Sequence, residues 1–177
     1  IDPGAEGEKI LKRLESNGLT PALVVLTHGH FDHISALTAL LARFPVPVYL
    51  HAQDVAFAFS PMNAMFQYPL TAKPATLCSD RDDGAEIACG GLAARVIHTP
   101  GHTPGGCCFY FEAEKTLVAG DTLFAGSVGR TDFPGGNWAA LKDSLARLMA
   151  LPEETRVICG HGPATTIGVE KQSNPYV

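Results

Sequence analysis

The 177-residue chain is long enough to bury a substantial core, and its 46% apolar and 18% charged residues are those of an ordinary globular protein. A formal charge of -5 leaves no basic stripe to neutralise phosphates, which weighs against nucleic acid as a partner. No apolar run reaches bilayer length, and the five cysteines (Cys78, Cys89, Cys107, Cys108, Cys159) lack scaffold spacing, pointing to free thiols in a reducing cytoplasm and away from a membrane. Ile10, Leu11 and Leu14 recur at helical spacing over 6–17, and Gly18 is a natural stop. A buried strand is predicted over 22–26, then a polar loop, then an amphipathic helix over 34–43. Prolines near the start of a strand at 45–50 place it at a sheet edge. A short helix follows over 53–59, and 61–83 reads as a long surface loop carrying the aromatics Phe66 and Tyr68. Strands are predicted at 86–89, 92–98, 107–111 and 116–119, with antiparallel pairing in this middle run and Cys107 and Cys108 on opposite faces. A helix over 137–149 sets Trp138, Leu141, Leu145 and Leu148 on one face, and a last strand occupies 156–159. The alternation favours one layered α/β domain over 1–177 with helices covering the sheet faces.

The loop Thr27-His28-Gly29-His30-Phe31-Asp32-His33 is the densest chemical signal in the chain. Neutral imidazole nitrogen and carboxylate oxygen are the donors that zinc and similar borderline metals favour. The loop lies where a strand gives way to a helix, so a rigid scaffold can aim several side chains at one point. His30 and His33 are three apart where the helix begins and can share a face.

The same arrangement recurs downstream. His102 follows Gly101 just past the strand at 92–98, Asp121 follows Gly120, and His161 follows Gly160. If these strand ends share one edge, His28, His30, Asp32, His33, His102, Asp121 and His161 converge, more donors than one tetrahedral ion needs. They suit two ions sharing a carboxylate, with positions open for water and substrate. Each has a plainer role open to it: Asp32 as a helix cap, Asp121 as a turn former, His102 and His161 as hydrogen-bonded loop residues. His51 and His98 also end strands but lack the flanking glycine, and read as structural or as supports for the ligands.

This ordered set resembles the metallo-β-lactamase superfamily. The resemblance implies a four-layer αββα sandwich with metals at one edge. It assigns His28, His30 and His102 to a first metal, Asp32, His33 and His161 to a second, and Asp121 as the bridge. The chain opens Ile1-Asp2-Pro3-Gly4 as though midway from a strand into a turn, so the resemblance implies that the opening strands of the fold are missing, and a preceding targeting segment stays open. Leu123 to Asp132 and the tail through Gly160-His161-Gly162-Pro163, Glu170-Lys171 and Asn174-Pro175 are similar to short bacterial glyoxalase II-like hydrolases, which lack the C-terminal helical domain of the long form.

The resemblance implies hydrolysis of thioesters, S-lactoylglutathione foremost, with zinc as the metal and iron or manganese as alternatives. Water on zinc has a pKa near 7, so a hydroxide held between two ions can attack the carbonyl. Asp32 and Asp121 are then the catalytic carboxylates, Asp32 orienting the nucleophile. A thiolate needs no strong acid to leave. Arg130 is weighed as a bidentate clamp for a substrate carboxylate against a loop ion pair with Asp132, and Phe66 and Tyr68 as pocket walls against anchors for their loop. Persulfide dioxygenases resemble the chain too, with one iron on residues corresponding to His28, His102 and Asp121. Lactonase and β-lactamase activity share the same centre. A non-catalytic relic site is the remaining reading, which the complete ligand set disfavours.

Overall fold

In the computed structural model, which describes residues 1–65, 68 and 70–177, the chain forms two compact units, Ile1–Asp80 and Arg81–Val177. Each has its own sheet and its own core. No helix among the described residues is long and apolar enough to cross a membrane.

In the first unit, helix α1 (Gly7–Ser16) lays Ile10, Leu11 and Leu14 on the core, as the spacing predicts. Strands β1 (Val24–Val25), β2 (Val48–Tyr49) and β3 (Leu77–Cys78) form a parallel sheet in that order. Helices α2 (Phe31–Ile34) and α3 (Leu37–Arg43) lie between β1 and β2 in the chain; α4 (Ala52–Ala58) and a 3₁₀ turn at Pro61–Asn63 follow β2. Val24, Leu26, Val48 and Leu50 bury their side chains with Ile34, Leu37 and Leu40. A strand buried on both faces reads as an unbroken apolar run.

Three expectations fail in this unit. The strand at 45–50 is central, not at an edge. Its prolines lie before the paired residues, and Pro47 serves the ladder only as an acceptor, from the Val24 amide at 3.0 Å. The helix expected over 34–43 starts at Phe31 and breaks at Ser35–Ala36, where the Ala36 amide donates to the Pro3 carbonyl at 2.9 Å. The loop at 61–83 contains β3, a two-residue strand that backbone pairing defines without side-chain periodicity.

The second unit is built on six strands: β4 (Glu86–Cys89), β5 (Leu92–His98), β6 (Cys107–Phe111), β7 (Thr116–Gly120), then, beyond a small hairpin β8 (Leu123–Phe124) and β9 (Ser127–Val128) and helix α5 (Trp138–Leu148), β10 (Arg156–Cys159) and β11 (Thr165–Thr166). The sheet order is β11-β10-β7-β6-β5-β4, and α6 (Ile167–Ser173) closes the chain. The expected strands from β4 to β7 and at β10 form, with the middle run antiparallel as predicted. The hairpin, β11 and α6 were not expected. Cys107 and Cys108 are both buried, and burial pushes the Cys108 thiol up to about 11, so it stays a neutral, unreactive core group.

Direction matters more than order here. β5 and β7 each run antiparallel to β6, and β10 runs parallel to β7. The C-terminal ends of β5, β7 and β10 therefore lie along one edge of this sheet, and the residues just past them are His102, Asp121 and His161. The β7–β10 register shifts at Ile158/Cys159, a bulge directly before Asp121, which is a device for re-aiming a side chain.

Helix α5 packs Leu141, Leu145 and Leu148 into the core, with Asn137 as its cap accepting from the Ala140 amide at 3.1 Å. Trp138, expected on the same face, is exposed, its ring 6.2 Å from that of Tyr176. Leu145→Ala should lower stability by about 3 kcal/mol, read as a shift of the denaturant midpoint at unchanged slope.

Arg147 near the end of α5 donates to the His98 carbonyl at 2.7 Å and to both Asp83 oxygens at 2.8 Å. Partial burial raises the Asp83 carboxyl, but the Arg147 bonds and the His98 amide outweigh it and hold the group below its ordinary value of 3.8. A carboxyl lowered in the fold stabilises above its unfolded pKa and loses that contribution as pH falls through the lower one. The melting temperature of Arg147→Met should therefore trail the parent most near about pH 6, the gap narrowing below about pH 4.

Candidate metal centre

In the first unit, β1 ends at Val25 and the chain turns through Thr27-His28-Gly29-His30 into α2. The ring centroids of His28 and His30 are 4.8 Å apart, and those of His28 and His33 are 4.1 Å apart. Ligand atoms of His28 and His30, of His28 and His33, and of Asp32 and His33 lie within 4.8 Å of each other. All three imidazoles are buried. His30 is the N-cap of α2 and makes no side-chain cap bond; Asp32 is inside the first turn, so the capping role open to it in the sequence falls away.

A residue that the sequence reading passed over organises this group. Asp2 accepts from the Thr27 amide at 2.7 Å through Oδ1, and from the Thr27 hydroxyl at 2.7 Å through Oδ2. His33 Nδ1 lies 3.0 Å from the same Oδ2. A carboxylate only accepts, so His33 donates from Nδ1 and its lone pair is on Nε2. The Thr27 hydroxyl has spent its proton on Asp2, so in its 3.1 Å contact with His28 it accepts from Nδ1, which leaves that ring's lone pair on Nε2 as well. The loop backbone is clamped by two more buried residues: Asp54 accepts from the Gly29 amide at 2.9 Å, and Asn63 donates to the Gly29 carbonyl at 2.8 Å. Asp54, the one acid in α4, was the legible signal of such a role.

In the second unit, His102 Nε2 and His161 Nε2 each lie 3.5 Å from the same oxygen, Asp121 Oδ2. Asp121 and His102 are nearly buried, while the His161 side chain is 56% exposed. His102 Nδ1 donates to the Arg130 carbonyl at 2.7 Å, again placing the lone pair on Nε2. The loop carrying His102 rests on α5: Ser144 donates to the Pro100 carbonyl at 2.7 Å and the Asn137 amide to the Gly101 carbonyl at 2.8 Å. Gly101, with φ +142, runs so close to Leu141 that a Cβ would collide with the helix backbone. At Gly129 a Cβ would strike the Asp121 carbonyl and crowd the His102 side chain.

These donors fit a divalent ion. Three imidazoles present a lone pair on Nε2 with Nδ1 tied to an oxygen acceptor, the arrangement that orients metal-binding histidines and raises their basicity. The other candidates behave differently. His98 Nε2 meets the Pro104 carbonyl at 2.9 Å, and His51 caps α4 by accepting from the Gln53 amide. The Arg130 guanidinium is exposed, bound to Asp132 by two bonds of 2.6 Å and stacked 4.0 Å from the Phe133 ring centre. It enters the site through its backbone carbonyl. Tyr68 is half-buried with its ring 4.9 Å from that of Phe31. Phe66 lies outside the described residues.

The sequence profile of the metallo-beta-lactamase superfamily matches residues 1–161, and the chain belongs to that superfamily. It has the fold of those metal-dependent hydrolases, and its His and Asp cluster is suited to divalent metal. The probable metallo-hydrolase YqgX of Bacillus subtilis is 40% identical over the whole chain and 85% of its own length. Hydroxyacylglutathione hydrolase GloC of Haemophilus influenzae is 36% identical, again over the whole chain and 85% of its own length. Among solved structures, BLEG-1 B3 metallo-beta-lactamase superposes with a TM-score of 0.90 at 40% identity, covering 99% of this chain and 86% of the other. TTHA1623, solved in a di-iron-bound form, has a TM-score of 0.83 at 41% identity, covering 99% and 87%. ETHE1 from Myxococcus xanthus has a TM-score of 0.79 at 33% identity, covering 98% and 71%.

Asp2→Asn turns an NH2 group toward the donors on Thr27 or His33. Zinc affinity, measured by competition with a chromogenic chelator, should fall about ten- to a hundredfold, the usual effect of losing a partner behind a ligand.

Proposed function

We propose that the chain is a metal-dependent thioester hydrolase with S-lactoylglutathione as its substrate. In this reading the two donor groups act together on two divalent ions, zinc first, with iron or manganese as alternatives. His28, His30 and His102 would hold one ion, Asp32, His33 and His161 the other, and Asp121 would be shared between them. The observation that carries it is the single Asp121 oxygen facing Nε2 of both His102 and His161, two residues assigned to different ions. The relative named hydroxyacylglutathione hydrolase supports the thioester chemistry. A reducing cytoplasm suits cysteines that stay as thiols.

Ions bound there would lower the pKa of a water to about 7 and polarise an acyl oxygen. The chain's own part is positional. Asp32, fixed in the first turn of α2, accepts a hydrogen bond from the attacking water and orients it. Asp121 holds its place at the bulged end of β7 beside two imidazoles. The water oxygen adds to the thioester carbon, the C–S bond breaks, and the products are a carboxylic acid and a thiol. No acid with a raised pKa is required, since the leaving thiolate is already weakly basic. Arg130 is engaged by Asp132 and Tyr68 by Phe31, so neither is given a substrate contact here, and none is given to Phe66.

A second reading, oxidation of a glutathione persulfide at one iron, rests on the Gly129-Arg130-Thr131-Asp132 segment and on the structural likeness to ETHE1. The two separate on one preparation: the zinc-loaded protein should hydrolyse S-lactoylglutathione without taking up oxygen, lose that activity to a chelator and regain it with zinc. His102→Ala should lower kcat/KM by more than about a hundredfold, beyond the loss expected for a mere supporting residue. Oxygen uptake with persulfide, and no thioester turnover, would sink the hydrolase.

A further inference from the structure

The C-terminal helix carries a carboxylate that the proposed reaction does not use. Glu170 is 1% exposed. A buried carboxylate is tolerated only when its oxygens are satisfied, and here they are. Oε2 accepts from the Gly126 amide and from the Asn174 side chain, both at 2.8 Å, and Oε1 accepts from the Thr165 hydroxyl at 2.5 Å. Asn174, 5% exposed, extends the grip by donating to the Ser127 carbonyl at 3.0 Å and the Phe124 carbonyl at 3.4 Å. Helix α6 thus holds the tip of the β8–β9 hairpin by one backbone amide and two backbone carbonyls.

The legs of that hairpin lead straight to the metal donors. Upstream, Leu123 is two residues from Asp121. Downstream, Val128 is followed by Gly129, packed on the Asp121 backbone, and by Arg130, whose carbonyl takes the proton of His102 Nδ1. The Gly129 amide closes the base of the hairpin on the Thr122 carbonyl at 3.4 Å. A two-stranded hairpin of two-residue strands is not stable alone. Its geometry depends on what holds its tip.

We infer that Glu170, with Asn174, is a positioning residue: by fixing the 123–128 hairpin it holds the Arg130 carbonyl where His102 must keep its proton on Nδ1 and offer Nε2 to an ion. The inference rests on the proposed metal role of His102, but the hydrogen-bond chain itself lies wholly within the second unit. The action is geometric rather than electrostatic. A glutamine at 170 can present its carbonyl to Gly126 and Asn174, and the Thr165 hydroxyl can reverse to accept from the amide, so every bond is retained.

The test compares the parent, Glu170→Ala and Glu170→Gln. Zinc affinity is measured by chelator competition, and the His102 ring tautomer by nitrogen-15 NMR of the metal-free protein near about pH 8, where histidine is neutral. Glu170→Ala should bind zinc about ten- to a hundredfold less well and show a mixture of His102 tautomers. Glu170→Gln should restore both to the parent's values. If Glu170→Ala does not fold, Asn174→Ala, which frees the two hairpin carbonyls and keeps the carboxylate, carries the same expectation. A folded Glu170→Ala with parental affinity and a single Nδ1–H tautomer would overturn the inference, as would a Glu170→Gln as impaired as the alanine. A parent that binds no zinc would remove the metal reading, while the tautomer result would still decide the role of Glu170.

Discussion

Three imidazoles in this protein are aimed by the hydrogen bond on their far nitrogen. His33 donates to Asp2, His28 to Thr27, and His102 to the Arg130 carbonyl. Each acceptor is itself fixed: Asp2 by the Thr27 amide and hydroxyl, Arg130 by the turn that Gly129 makes against Asp121. A ring so tied has one tautomer and one direction. Without these acceptors the same histidines would be ordinary buried side chains, free to place the proton on either nitrogen.

The supporting residues come from every kind of local structure. Asp2 is in the first turn of the chain, Asp54 is on a helix, Asn63 on a 3₁₀ turn, and Ser144 and Asn137 are on α5. Few of them have a sequence signature. They matter because a donor group must be held to fractions of an ångström, and the hydrophobic cores position only the strands and helices. Within each unit the strand ends bring the loops to roughly the right place, and the hydrogen bonds do the rest.

Within one superfamily, relatives of this chain carry names as different as a hydroxyacylglutathione hydrolase, a B3 metallo-beta-lactamase and ETHE1. One fold under names so divergent fits the rule that the loops around a site, and not the fold, select the reaction. In this chain the Arg130 guanidinium is bound to Asp132 and stacked on Phe133, so the segment whose backbone carbonyl meets His102 has its cation already engaged.

Much of the second unit was legible in the sequence. β4, β5 and β6 lie where alternation and turn residues put them, and α5 carries its expected leucine stripe. The elements missed were those with little side-chain signal: β3, β8, β9 and β11 are two residues each and exist through backbone pairing. The central placement of β2 was likewise invisible, since its neighbour β3 is nearly thirty residues away in the chain. For the candidate site, residue types and their place after glycine at strand ends were enough to nominate His102, Asp121 and His161, because donor chemistry and strand periodicity are local properties. That β5, β7 and β10 run the same way, that the β7–β10 register shifts just before Asp121, and that an aspartate at position 2 and a backbone carbonyl at position 130 settle the protons of the rings was decided only by the tertiary structure, because direction, register and hydrogen-bond partnership belong to pairs of distant segments and are written in neither one alone.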